Sequence, residues 1–304
     1  MVKQAVSKTG PSVSQDKHIT FDVPLALGIT LNSGQAFRWQ LIDHWYYGLI
    51  GDVLVRLRQD ESGVKYASTE THGKDIAFLI WHYLGLCDDL DEVYQRINTD
   101  DRIAGAILHY RGLRLLRQDP WECLIAFICS ATSNIPRISA TMEALAKNYG
   151  HPLELDGYVR HTFPTPYELS SGTEADLRRL GLGFRAKYVA WAAHMVRIGE
   201  LDLSSLYGVP YADALGALME CPGVGHKVAD CVLLFSLNRS EAFPIDRHIW
   251  RNLQNWYLDG HKLSYTNVLE WAWERFGRWA GYANQYLFYQ QRQEGKKNLE
   301  GGGG

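Results

Sequence analysis

Two residues of this 304-residue chain could do chemistry by type and spacing: Lys227, two positions after Gly225, and Asp246, nineteen residues further on. A lysine in the first turn of a helix faces the positive end of the dipole. That works against its ammonium and favours the neutral, nucleophilic amine. Asp246 follows Pro244-Ile245 and precedes RHIWRNLQNWYL, the place of a helix N-cap, where backbone N–H groups keep a carboxylate ionised. Facing one cleft, the pair suits addition of the amine to an acetal-like sugar carbon, with the carboxylate stabilising the developing oxocarbenium charge. Each residue also has a plainer reading: a solvated lysine against a phosphate, and a cap and nothing more.

Both candidates sit in ADALGALMECPGVGHKVADCVLLFSLNRSEAFPIDRHIWRNL (212–253). Leu215, Leu218 and Met219 give one helix an apolar face. Cys221-Pro222-Gly223-Val224-Gly225 turns the chain, with Gly223 and Gly225 allowing positive φ and close backbone approach. A second helix begins near Gly225 or His226, with Val228, Cys231, Val232 and Phe235 inward. The result is a helix–hairpin–helix over about 212–236. Its turn either presents N–H groups to an anion such as a DNA phosphate or serves as an ordinary packing hairpin.

Upstream, WYYGLI (45–50), VLVRLRQ (53–59) and VKYAS (64–68) alternate with period two around Gly51-Asp52 and DESG (60–63), as antiparallel strands do. Helical spacing follows in DIAFLIWHYL (75–84), DLDEVYQRI (89–97), WECLIAFICSAT (121–132), PRISATMEALAKNY (136–149) and AKYVAWAAHMVR (186–197). FPTPYELS (163–170) reads as a Pro-rich connector into another helix. The expected class is α+β, a small N-terminal antiparallel β-sheet domain followed by a mainly helical body. Its divisions are a flexible tail at 1–17, a sheet domain with following helices at 18–115, a helical body at 116–292 and a flexible tail at 293–304.

Composition is that of a globular chain, 46% hydrophobic and 21% charged, with no apolar run of membrane-spanning length and no signal-peptide core near the N-terminus. Five cysteines (87, 123, 129, 221, 231) without a C-x-x-C pair disfavour a disulfide framework or a zinc ribbon. These features suggest a soluble intracellular protein. The net charge of −3 argues mildly against a nucleic-acid partner. However, residues 1–110 carry 10 Lys+Arg against 14 Asp+Glu, whereas 111–304 carry 21 against 20, so the acidic excess lies in the first third.

CPGVGHKVADC followed by PIDRH closely resembles the 8-oxoguanine DNA glycosylase/AP lyase branch of the helix–hairpin–helix DNA glycosylase superfamily. SGQAFRW (33–39), RLLRQDPWECLIAFICS (114–130), LGLGFRAKY (180–188) and AGYANQYLF (280–288) resemble further segments of that branch in the same order, so the likeness spans about 20–292. The fold this implies is a sheet domain joined to a helix–hairpin–helix glycosylase body. The implied function is base-excision repair, in which 8-oxoguanine opposite cytosine is flipped from the duplex, its N-glycosidic bond is cleaved through a Lys Schiff base, and the strand is nicked by β-elimination.

By resemblance, Lys227 is the nucleophile and Asp246 the catalytic carboxylate. Cys231 and Phe288 sandwich the flipped purine, and the Gly34 carbonyl accepts from N7–H of 8-oxoguanine, which guanine lacks. Arg137 and Arg185 read the orphaned cytosine, Phe184 wedges into the gap where the branch often has Tyr, and His248 approaches the 5′ phosphate. Gly223 and Gly225 offer the hairpin amides to DNA. Thr132 replaces an asparagine that fills the vacated stack; it is shorter and has no amide. Asn284 replaces a glutamine at the Watson–Crick edge and is one methylene shorter, which passes the contact to Gln285 or to water. The reaction needs no organic cofactor or catalytic metal, although the hairpin carbonyls near Cys221 and Val224 could take a monovalent cation. With no cysteine beyond 231, the iron–sulfur ligand set of the endonuclease III branch is missing. The expected partner is double-stranded DNA containing 8-oxoguanine, bound by a monomer with no membrane role and an intracellular, DNA-associated location. A monofunctional alkylpurine glycosylase commonly lacks the hairpin lysine, and a non-catalytic hairpin module would not need Lys227 and Asp246 at one pocket.

Overall fold

A computed structural model describes residues 14–71, 73–258, 261 and 263–301; within these, the side chains of His248 and of 296–301 lie outside the description. The chain opens with β1 (Lys17–Thr20), α1 (Leu27–Asn32), β2 (Gln40–Ile42), β3 (Trp45–Ile50), β4 (Val53–Asp60) and β5 (Gly63–Ser68). These strands form one antiparallel sheet in the order β1-β5-β4-β3-β2, with Gly48 opposite Val55 and Leu57 opposite Tyr66. Period two sorts β4: Val53, Val55 and Leu57 pack with Leu27 and Leu31 of α1 and with Ile76 and Ile80, while Leu54 faces the other way with Trp45, Tyr47 and Leu49.

Helices α2 (Ile76–Tyr83), α3 (Leu90–Ile97), α4 (Asp101–His109), α5 (Pro120–Cys129) and α6 (Ile135–Tyr149) follow. Each starts on a side chain that accepts a first-turn N–H: Asp75, Asp89, Asp100, Asp119 and Asn134 in turn. Such caps contribute about 1 kcal/mol each and set where each helix begins. A hairpin of β6 (Pro152–Leu155) and β7 (Tyr158–His161) comes next, absent from the sequence reading. Its Leu155 joins Leu54 and Tyr47, covering the second face of the sheet.

The body continues through α7 (Pro166–Leu169), α8 (Glu174–Leu177), a wide turn at Arg178–Leu182, a 3-10 turn at Gly183–Arg185 and α9 (Ala186–Ile198). It is completed by α10 (Tyr211–Met219), α11 (His226–Phe235), α12 (Arg247–Trp256), α13 (Tyr265–Phe276) and α14 (Ala280–Gly301). At its centre α5 and α11 run antiparallel. Gln118 N donates to Phe235 O at one end, Cys123 Sγ lies 4.0 Å from Cys231 O, and Lys227 meets Ser130 at the other end. Every residue of α5 beyond Pro120 except Glu122 is buried, as is every residue of α11 from Val228 onward. Two helices this apolar must lie inside the body, and their pairing fixes the start of α11 at the surface.

The sheet and the body are joined by buried arginines. Arg114 is fully buried and donates to the carbonyls of Pro24, Gly85 and Asp88. Arg38 bonds Glu122 and Glu143, and Arg160 reaches Glu143 and the Arg38 carbonyl.

Several expectations need correction. The helix expected over 121–132 ends at Cys129, and Thr132 has left-handed backbone, φ 50°. Residues 14–17, expected in a flexible tail, are held: Arg56 bonds the Ser14 carbonyl and Asp16, and Lys17 already pairs with Tyr66. Residues 1–13 of that tail lie outside the described residues. The C-terminal tail expected from 293 is helical to Gly301, and 302–304 lie outside the described residues.

Candidate active site

The hairpin forms as its residues require. Gly223 has φ 89°, and a methyl group there would come within 2.4 Å of Tyr188 Cγ, so the turn is closed to other residues. Gly225 is different. Its backbone is extended, φ −101°, and its Cβ position is open, so the expected positive φ belongs to Gly223 alone. Gly225 is the N-cap of α11, and the first amides of that helix have no capping side chain and no first-turn carboxylate beside them.

Lys227 stands in that first turn, half-buried. Its Nζ donates to Ser130 Oγ at 3.1 Å and lies 4.8 Å from the Phe127 ring centroid, a face that attracts a cation. One helical turn further, Cys231 is buried, and burial pushes its thiol up to about 12. Lys227 opposes that rise through its charge and a side-chain hydrogen bond, while the charge of Asp246 adds to it. The thiol, the amine and the carboxylate thus share one electrostatic neighbourhood. Asp246 caps α12 as expected: Ile249 N donates to its Oδ1 at 2.8 Å and Trp250 N to its carbonyl.

A second cluster gathers where α14 meets the loop after α1. Gly34 has φ 92°, and a methyl group there would lie 3.1 Å from Ile135 Cδ1, 3.3 Å from Phe288 Cε1 and 3.5 Å from Arg292 Nη1. Gly34 and Phe288 are therefore brought together. The carbonyls around Gly34 are occupied: Arg292 donates to Asn32 O at 2.7 Å, Gln285 to Ser33 O at 3.4 Å and Gln118 to Gln35 O at 2.7 Å. Among the described residues nothing donates to the Gly34 carbonyl.

The third cluster follows α5. Arg185 is 4% exposed and its guanidinium donates to the carbonyls of Ala131 and Thr132. It stacks on Phe184, 4.5 Å to the centroid, and Phe184 itself is 47% exposed. Burial and nearby Arg137 both lower the Arg185 pKa, so the two expected arginines are neighbours. Thr132 and Arg137 are exposed. Asn284 is buried, and its Nδ2 donates to Pro244 O at 3.0 Å, bracing the segment that leads to Asp246. The amide expected at a substrate edge is, on its nitrogen side, an internal strut. The His248 side chain lies outside the described residues.

Sequence reasoning missed Ser130, Phe127 and Arg292 as site residues. Ser130 and Phe127 lay inside a segment it had singled out, RLLRQDPWECLIAFICS; Arg292 carried no signal of its own. All five cysteines are free, Cys87 exposed and the rest buried. Among the described residues no group of three or more His, Cys, Asp or Glu could hold a metal ion, and no helix is long and apolar enough to cross a membrane. At the hairpin, the Cys221 carbonyl accepts from Val224 N at 3.0 Å.

The chain is similar to known proteins. The family described as 8-oxoguanine DNA glycosylase, N-terminal domain matches residues 19–124, and the HhH-GPD superfamily of base excision DNA repair proteins matches 125–278. The chain is 35% identical to the N-glycosylase/DNA lyase OGG1 of Arabidopsis thaliana over a 305-residue alignment, covering 95% of this chain and 83% of the relative. MBOgg1, solved with a low-affinity DNA ligand, shares 33% identity at a TM-score of 0.87, covering 97% of this chain and 100% of that one. The 8-oxoguanine glycosylase/lyase of Clostridium acetobutylicum, solved with double-stranded DNA containing cytosine opposite 8-oxoguanine, shares 28% identity at a TM-score of 0.84, covering 92% and 98%.

Proposed function

The chain belongs to the 8-oxoguanine DNA glycosylase/AP lyase family of helix–hairpin–helix base-excision repair enzymes, and from that premise we propose that it removes 8-oxoguanine paired with cytosine through a Lys227 Schiff base and then nicks the strand. The observation that carries this reading is the amine of Lys227, held at 3.1 Å by Ser130 at the open end of the α5–α11 pair and beside buried Cys231.

The base leaves the stack at a cost of a few kcal/mol, offset by stacking between Cys231 and Phe288. A carbonyl at Gly34 without an internal donor supports recognition of N7–H. Guanine would bring a lone pair there, and an unpaired buried acceptor is costly. Lys227, having given its proton to solvent, then attacks C1′; the C1′–Nζ bond forms as the glycosidic bond breaks, and its electron pair leaves with the base, which takes up a proton. Asp246, fixed by its cap bonds, stabilises the oxocarbenium charge that develops in between. Opening of the sugar gives the iminium, loss of a C2′ proton follows, and the 3′ phosphate departs by β-elimination.

Outside the pocket, Arg137 and Arg185 serve the orphaned cytosine and Phe184 the gap, with exposed Thr132 beside them; His248 serves the 5′ phosphate. The uncapped amides after Gly225 serve a phosphate, and a monovalent cation on the hairpin carbonyls would add positive charge there. The chain acts as a monomer on DNA inside the cell.

Borohydride trapping on an 8-oxoguanine:C duplex tests the reading. Wild type should give a covalent adduct, and Lys227→Gln should give none while still binding the duplex. Persistent trapping in Lys227→Gln would remove Lys227 as nucleophile, and base release without trapping by wild type would make the enzyme monofunctional.

A further inference from the structure

The loop that carries Gly34 cannot hold its own shape. Gly34 is left-handed, has no side chain to pack and loses more conformational freedom on ordering than any other residue. Its carbonyl direction must therefore be imposed by its neighbours. On one side this is done by Gln35, whose amide donates to Ser33 Oγ and Arg114 O and accepts from Leu116 N. On the other side it is done from a distance by α14. Gln285, Phe288 and Arg292 are spaced i, i+3, i+7 along that helix, so one stripe faces the loop. Gln285 takes the Ser33 carbonyl, Phe288 packs against Gly34, and Arg292 takes the Asn32 carbonyl, the last of α1, at 2.7 Å. A cation at a helix C-terminus is favourably placed, and the bond is charge-assisted. Arg292 forms no ion pair with a carboxylate among the described residues. Its guanidinium is partly desolvated for this loop contact.

We propose that Arg292 is a positioning residue for lesion recognition: from the helix face that supplies the aromatic wall, it clamps the Asn32 carbonyl and so aims the Gly34 carbonyl at the base. The inference rests on the role of Gly34 proposed for the base-reading step. It separates two activities that share Lys227. Excision of 8-oxoguanine needs the base reader, whereas β-elimination at a preformed abasic site has no base to read.

The test compares single-turnover excision from an 8-oxoguanine:C duplex with strand nicking at an abasic-site:C duplex, using the full chain. Arg292→Ala should lower excision about 5- to 10-fold more than it lowers nicking, the low end for a charge-assisted bond because this one is exposed to solvent. Arg292→Lys, which keeps a cationic donor, should recover much of the loss. Equal loss in both reactions, or no loss in either, overturns the proposal. Should Arg292→Ala fail to fold, Arg292→Gln, with one donor left for Asn32, takes its place in the same two reactions: a selective loss of excision supports the proposal, and equal loss or none overturns it. If wild type itself does not excise 8-oxoguanine, the functional reading fails first; if wild type is active and the variants lose both reactions alike, only the role of Arg292 fails.

Discussion

Lys227 Nζ donates to Ser130 Oγ at 3.1 Å, and the Ser130 hydroxyl donates in turn to Phe127 O at 2.6 Å. With its proton committed to the backbone, the hydroxyl can only accept from the lysine. The last turn of α5 therefore aims the amine that begins α11. The hydrogen bond and the Phe127 ring leave the side chain a small range of directions.

Ser130→Ala should loosen that aim and leave the chemistry in place. A net hydrogen bond of about 1 kcal/mol predicts a loss of roughly fivefold in the trapping rate. Duplex affinity should be unchanged, because the hydroxyl faces the lysine. An unchanged rate in single-turnover trapping would mean that Ser130 does not set the amine's direction.

Much of this arrangement was legible in the sequence, for physical reasons that differ from element to element. The strands of 45–68 announce themselves because they are rich in β-branched and aromatic residues and closed by tight turns, both local signals. The hairpin around Gly223 and the cap at Asp246 are likewise local devices. The β6–β7 hairpin was missed although Asp156-Gly157, both with positive φ, is a strong turn signal. Its four-residue strands have too few apolar positions to show a period, and Leu155 is buried only by a sheet formed a hundred residues earlier. The end of α5 was misplaced because nothing in CSAT stops a helix. What receives the carbonyls of Ala131 and Thr132 is Arg185, more than fifty residues downstream. Arg292 carries no local signal in the sequence, since its partner lies 260 positions away.

Thr132 is held left-handed, φ 50°, in a conformation that costs an L-residue about 1–2 kcal/mol and a β-branched one at least as much. Asn tolerates that region and, unlike Gly, does not loosen the unfolded chain. Thr132→Asn should therefore stabilise the protein by about 1 kcal/mol, raising the thermal midpoint by roughly 2–4 °C. It also supplies an amide next to Arg185, the proposed reader of the orphaned cytosine, so the ratio of excision opposite cytosine to excision opposite the other bases should rise. Calorimetry and an opposite-base panel check the two halves separately. A lowered midpoint would show that Thr132 carries no removable strain.

Arg185 has two tasks. Its bonds to the 131–132 carbonyls and its stacking on exposed Phe184 are structural, and the proposed function adds reading of the orphaned base. Arg185→Ala should cost about 1 kcal/mol, by removing its bonds to the half-exposed 131–132 carbonyls, and should flatten the preference for cytosine. Arg185→Lys keeps the charge but not the planar fork. It should recover part of the stability and little of the preference. If Arg185→Ala is destabilised while the opposite-base profile is intact, its role is structural only.

Asp230 makes the pH dependence of the hairpin testable. It is wholly buried on α11, three residues past Lys227, and accepts from Tyr211 of α10 at 2.6 Å and from Tyr265 of α13, whose ring packs on His226. Burial raises its carboxyl to about 6, against the two tyrosine hydrogen bonds that pull it down. Between about pH 4, where an unfolded aspartate titrates, and pH 6, the folded chain holds a proton that the unfolded chain has released. The stability contributed is therefore fully present below that window and is lost as pH rises through about 6. Asp230→Asn stays neutral throughout and keeps an acceptor for the tyrosines. The thermal midpoint of wild type minus that of Asp230→Asn should fall from pH 4 to pH 7, while other titrating groups cancel in the difference. A flat difference across that range would mean that the carboxyl between the two tyrosines does not change its protonation there.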